Sequence, residues 1–176
     1  YPQFWSVYSA ANQFQFAYSV NGGFFYVWDG SSYVLSATPS PAISTDTWYH
    51  IAWVRDNGIM KFYLDGTLVH SAPVSLAFEG FTYTTAIGAY ISWSANGSFD
   101  GHIDDFRISK GTARWTTDFN VSELTQPYEP DANTNLLLHF EGDESDSNHA
   151  VTFNGDIDAD ASTYKFDGSY YFILSL

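Results

Sequence analysis

The sequence predicts an all-β fold, two antiparallel sheets packed face to face as a jelly-roll sandwich. Three observations predict it. Apolar and aromatic residues alternate with polar ones at a period of two in many short runs. Turn dipeptides such as Asn-Gly and Asp-Gly separate those runs. No stretch carries a convincing helical period, and many short strands without helices pack as a sandwich or jelly roll.

Taken in order, Phe14-Gln15-Phe16-Ala17-Tyr18 alternates, and Asn21-Gly22-Gly23 turns the chain into Phe24-Phe25-Tyr26-Val27-Trp28. Asp29-Gly30 then leads into Ser32-Tyr33-Val34-Leu35, and Pro39 and Pro41 mark a loop ending near Thr45. The clearest segment is a three-strand meander over residues 48–70. Its strands, 48–55, 59–64 and 67–70, are joined by Asn57-Gly58 and Asp65-Gly66, both of which supply the positive φ angles of type I′ turns. Further strands are expected at 84–89, 101–109, 135–140, 151–154 and 170–174. Residues 112–131, polar and containing Pro127 and Pro130, read as a long loop wrapping the surface.

Composition excludes several functions. The 176 residues carry 6 Lys+Arg against 20 Asp+Glu, a formal net charge of -14. So few cations cannot neutralise a run of phosphates, which argues against nucleic acid and anionic membrane surfaces as partners. No apolar run approaches the roughly 20 residues of a membrane span, so membrane insertion is not expected. The absence of cysteine excludes disulfide frameworks, thiolate zinc sites and cysteine nucleophiles. An apolar fraction of 45% with 15% charged residues is the composition of a folded domain. Of the 13 Tyr, 15 Phe and 6 Trp, most fall on alternating positions and are expected in the core.

Thr47-Trp48-Tyr49-His50-Ile51-Ala52-Trp53-Val54-Arg55, then Phe62-Tyr63-Leu64-Asp65-Gly66, Ile87-Gly88, and Phe99-Asp100-Gly101-His102-Ile103-Asp104-Asp105-Phe106-Arg107-Ile108, in that order, resemble a laminin-G-like domain. The resemblance implies the concanavalin A-like lectin/glucanase sandwich over residues 1–176. Gly111-Thr112-Ala113-Arg114-Trp115-Thr116-Thr117-Asp118-Phe119 and Leu136-Leu137-Leu138-His139-Phe140-Glu141-Gly142 are similar to such modules in bacteriophage tail fibres and surface adhesion proteins. In that family the segment resembling residues 128–176 comes first, whereas here it comes last. The resemblance therefore implies a chain that is permuted, cut from a tandem array, or completed by strands shared between subunits. The apolar end, Tyr170-Tyr171-Phe172-Ile173-Leu174-Ser175-Leu176, needs a partner strand.

Glucanases of this fold carry two carboxylates on one strand, in a pattern like Glu-apolar-Asp-x-x-Glu. Glu141-Gly142-Asp143-Glu144 departs from it, with glycine at the apolar position and a polar turn around it, so no enzyme is expected. His50, His70, His102, His139 and His149 show no metal-type or triad spacing. The resemblance implies one structural calcium ion, with Asp104 or Asp105 as a ligand. Asp143 and Asp146, with Glu141 and Asn148, form an oxygen-rich loop suited to the rest of a hard-cation shell. Arg107 and Arg55 are the competitors for the Asp105 carboxylate.

Sugar sites of this kind pair an aromatic platform with Asp, Asn and backbone donors in rim loops. The candidates are Trp93 with Asn96, Tyr90, and Trp28 with Asp29, with Tyr33, Tyr83 and Trp115 behind them; Trp93 leads because a polar Gly-containing loop has least reason to bury it. Trp48 and Trp53, within the meander, read as structural. Asn96-Gly97-Ser98 and Asn120-Val121-Ser122 satisfy the N-glycosylation pattern. The expected function is a non-enzymatic extracellular or virion-surface module for adhesion, recognising a glycan or cell-surface polysaccharide. The alternative is a self-assembling fibre or decoration subunit joined to its neighbours by strand exchange, its negative charge keeping free copies soluble.

Overall fold

The computed structural model describes residues 3–8, 13–19, 24–28, 31–38, 42–74, 84–88, 99–124, 127–140, 150–154, 159–160, 163–167 and 171–175. Among these residues there is no α-helix; a single 3-10 turn, Val121–Glu123, is the only helical element. No helix there is long and apolar enough to cross a membrane.

The large layer is a seven-stranded antiparallel sheet. Its chain-order members are β1 (Gln3–Tyr8), β2 (Gln13–Ser19), β3 (Phe24–Trp28) and β4 (Tyr33–Ala37), later joined by β8 (Thr84–Ile87), β12 (Ala150–Asn154) and β15 (Tyr171–Ser175). The spatial order is β12-β15-β8-β1-β2-β3-β4. β15 has partners on both sides, with Phe172 opposite Ile87 of β8 and Phe153 of β12. β1 escapes sequence reasoning because Phe4 and Trp5 are adjacent aromatics. A register irregularity between Gln3 and Trp5 breaks the alternation, and both rings pack on one core cluster.

The facing layer is built from three separate ladders. The meander is β5 (Ile51–Asp56), β6 (Ile59–Leu64) and β7 (Thr67–Pro73); β10 (Phe106–Ser109) pairs with β11 (Thr134–Leu138); and β9 (Asp100–Ile103) pairs with β14 (Thr163–Asp167), which also pairs with β13 (Ala159–Asp160). The sequence expects one strand over 101–109. It breaks at Asp104-Asp105 because Asp105 adopts φ 45°, a left-handed conformation that cannot continue a strand.

Two apolar clusters join the layers. Phe16 and Ala37 of the large sheet meet Met60, Phe62 and Leu64 of β6, with Phe4, Trp5, Ile51 and Trp53 around them. Trp5 stacks on Phe16 at 4.7 Å between ring centroids, and Trp53 meets Phe16 edge-on at 5.3 Å. Toward β8, Ile87 meets Leu136, Leu138 and Phe140 of the β11 segment, with Ile103, Phe106 and Ile108 packed alongside. Each fully buried aromatic or leucine contributes about 2–3 kcal/mol, so these rings hold the sandwich without a disulfide.

Candidate functional site

Period-two alternation gives the meander two faces. Ile51, Trp53, Met60, Phe62 and Leu64 point into the core, while Ala52, Val54 and Tyr63 point outward. Ala52 and Val54 are small, leaving a shallow shelf beside Tyr63. The strap formed by residues 110–124 and 127–131 lies across it, seating Ala113, Trp115 and Phe119. The Trp115 and Phe119 rings stack at 4.4 Å and 14°. His50 meets both edge-on, at 5.3 and 5.4 Å, and its Nε2 lies 3.2 Å from the Tyr128 hydroxyl. The Arg107 guanidinium covers the Tyr128 ring at 4.1 Å and lies 5.7 Å from the Trp115 centroid. Trp115, a sugar-platform candidate by sequence, is thus a packing residue with its ring flanked by neighbours.

The strap is fastened to the meander at its middle and closed on itself. Phe119 N–H donates to the Gly66 carbonyl at 2.9 Å, and Leu68 N–H donates to Asp118 Oδ1 at 2.8 Å. Arg114, near its start, donates through Nη1 and Nη2 to both oxygens of Asp131 at its end, at 2.9 and 2.8 Å. The Arg114 bonds, with help from the Thr134 hydroxyl and the Asn133 N–H, hold the Asp131 carboxyl well below the usual carboxylate range. Burial lowers the His50 pKa, the nearby Arg107 lowers it further, and Asp65 partly opposes both.

These two shifts make the strap acid-sensitive in two stages. His50 is favoured neutral in the fold, so its contribution is complete above about pH 6.5, the unfolded value, and falls as pH drops below it. Asp131 is favoured charged, so its contribution is complete above about pH 4 and is lost on further acidification. The thermal midpoint is expected to fall between pH 7 and 5, and His50→Gln, which cannot be protonated, is expected to flatten that first fall. An unchanged slope in the variant would assign the first stage elsewhere.

The calcium candidates divide. Asp104 and Asp105 lie in the break between β9 and β10, not side by side on one strand. Asp104 Oδ1 accepts from the Asp105 N–H at 2.8 Å, and His139 Nδ1 lies 2.7 Å from Asp105 Oδ1. The competitor for Asp105 is therefore His139. Arg107 rests on Tyr128, and Arg55 reaches the Val74 carbonyl at 3.4 Å. No group of three or more His, Asp or Glu among the described residues is placed to hold a metal ion. These residues by themselves do not fit a calcium shell; Asp143 and Asp146 lie outside the described residues. Asp105 at φ 45° and Phe140 at φ 58° flank the Asp105–His139 contact, two left-handed residues that cost about 1–3 kcal/mol each.

Of the sugar candidates, Trp93, Asn96, Tyr90, Asp29 and Tyr83 lie outside the described residues, and Trp28 is placed only by its backbone, at the end of β3 opposite Tyr33. Tyr33 is 51% exposed and meets the buried Tyr26 edge-on at 5.2 Å. Sequence reasoning missed Trp48. It precedes β5 by three residues, at the parity of the outward-facing Ala52 and Val54, and is 60% exposed. Its ring lies 6.2 Å from that of His102 at 50°. His102 and Asp104 are both exposed, alternating with the half-buried Gly101 and Ile103. Trp53, by contrast, packs in the core as expected.

A family model of the laminin G type, described as concanavalin A-like lectin/glucanases superfamily, matches residues 1–116. The match takes in β1 through β10 and ends inside the strap. No curated protein and no solved structure was found to match.

Proposed function

The chain belongs to the concanavalin A-like lectin/glucanase superfamily through its laminin G-type family, and on that premise we propose that it is a non-enzymatic module for glycan recognition and adhesion, working outside the cell or on a virion surface. Membership of a sandwich superfamily that includes lectins is the observation that carries the reading, and a fold alone does not assign a ligand. Laminin G-like domains are generally non-enzymatic. Trp93, Asn96, Tyr90, Trp28 and Asp29 belong to this reading as sugar contacts, as does one structural calcium held by Asp104 or Asp105 together with Asp143 and Asp146. Such an ion would have to share Asp105 with His139.

The test is a glycan array run with calcium and with a chelator. Binding to at least one glycan class is expected; silence across the array with calcium present would remove the reading. Reducing-sugar release abolished by Glu141→Gln would replace it with an enzyme.

One observation favours a second reading, a fibre subunit assembled by strand exchange. β15 occupies an interior slot between β12 and β8, the slot a neighbouring copy would fill. Concentration-dependent oligomers that incorporate a labelled peptide of residues 170–176 would mark it.

A further inference from the structure

We infer that Trp48 and His102 form a two-walled corner that takes the CH face of a neutral pyranose, which rests on the glycan reading and gives it a place. An indole left 60% in water is costly for so large an apolar side chain, and the next ring along, Tyr49, packs against the core. Trp48 lies on the approach to β5 and His102 on β9, so the corner spans two of the facing-layer ladders. The 6.2 Å separation and 50° inclination set the imidazole as a side wall to the indole without a parallel stack covering it.

A ligand for this corner needs an apolar face for the ring and hydroxyls at its rim for the imidazole and for the carboxylate of Asp104, exposed two residues further along the chain. A pyranose has both. The protein's charge of -14, with 20 carboxylates against 6 Lys and Arg, opposes uronic acids and sulfated sugars by long-range repulsion, so the sugar is neutral.

The experiment is fluorescence titration of the whole chain with neutral cello-, manno- and galacto-oligosaccharides and, as the acidic arm, oligogalacturonate. At least one neutral series is expected to bind, with oligogalacturonate weaker at low salt. Trp48→Ala is expected to weaken binding by about tenfold or more, the loss of a small stacked area. Trp48→Phe is expected to retain part of it and His102→Ala to lose severalfold, with thermal midpoints unchanged in all three. Full binding by Trp48→Ala, with loss in Trp93→Ala instead, would overturn this assignment and leave the glycan reading standing. Preference for oligogalacturonate would overturn the neutral class, and no binding by any glycan on the array would overturn both readings.

Discussion

Gly66→Ala is expected to destabilise the fold by about 3 kcal/mol, while Gly58→Ala, at the equivalent place in the neighbouring turn, costs about 1 kcal/mol. Both glycines are the second residue of a type I′ turn, with φ of 77° and 80°, and alanine pays about 1–2 kcal/mol to adopt that conformation. Their surroundings separate them. Around Gly58 an added Cβ meets nothing within 4 Å, whereas at Gly66 it would overlap the Phe119 carbonyl oxygen. That oxygen is backbone, and the same residue's N–H donates to the Gly66 carbonyl, so the strap cannot yield without losing its fastening. The overlap adds about 1–3 kcal/mol. At about 2–4 °C per kcal/mol for a chain of this size, the midpoint should fall by about 10 °C for Gly66→Ala and about 3 °C for Gly58→Ala. Calorimetry on the pair is the check; equal falls would show that the strap does not clamp the turn.

The same turn marks where the sequence is legible and where it stops being so. Asp65-Gly66 and Asn57-Gly58 announce their conformation locally, because left-handed backbone favours few residue types. The meander follows with its register, Trp53 opposite Phe62 and Tyr63 opposite Leu68. Nothing local reveals that Phe119, more than fifty positions away, approaches Gly66 too closely for any side chain. The strap was legible as a wrapping loop but not by the face it covers, since Ala52 and Val54 are equally at home in a core or beneath a loop. The split of residues 101–109 into β9 and β10 was hidden for a different reason: Asp104 and Asp105 fit an alternating strand until the left-handed turn at Asp105 is seen.

The site shows the limit most clearly in its tryptophans. Trp48 and Trp53 both read as meander residues, but five positions apart they take opposite faces, and β5 begins only at Ile51. Trp48 is left outside the ladder and in water. Trp115 errs the other way. A ring in a polar Gly- and Pro-bounded segment reads as exposed, yet the segment lies flat on a sheet and the ring becomes its anchor.

Trp115→Ala is accordingly expected to cost about 3 kcal/mol, near the low end for a truncated tryptophan because the residue is half-buried. The loss has identifiable parts: the stack on Phe119, the edge contact with His50 and the face below Arg107. It should also release the strap as a unit, because removing the ring leaves Phe119 and His50 without their common neighbour. Amide exchange in residues 113–119 is expected to rise together with that of the β6–β7 turn, where Phe119 and Leu68 are fastened. Glycan affinity measured below the lowered midpoint is expected to stay unchanged. Trp48→Ala should show the reverse pattern, stability within about 0.5 kcal/mol of the parent and affinity reduced about tenfold. The two tryptophans thus form a crossed pair of tests in which one substitution reports on packing and the other on ligand. If Trp115→Ala weakened binding as much as it weakened the fold, the strap would be part of the ligand site, and the outer face of the meander, not the corner beside His102, would be the surface to search.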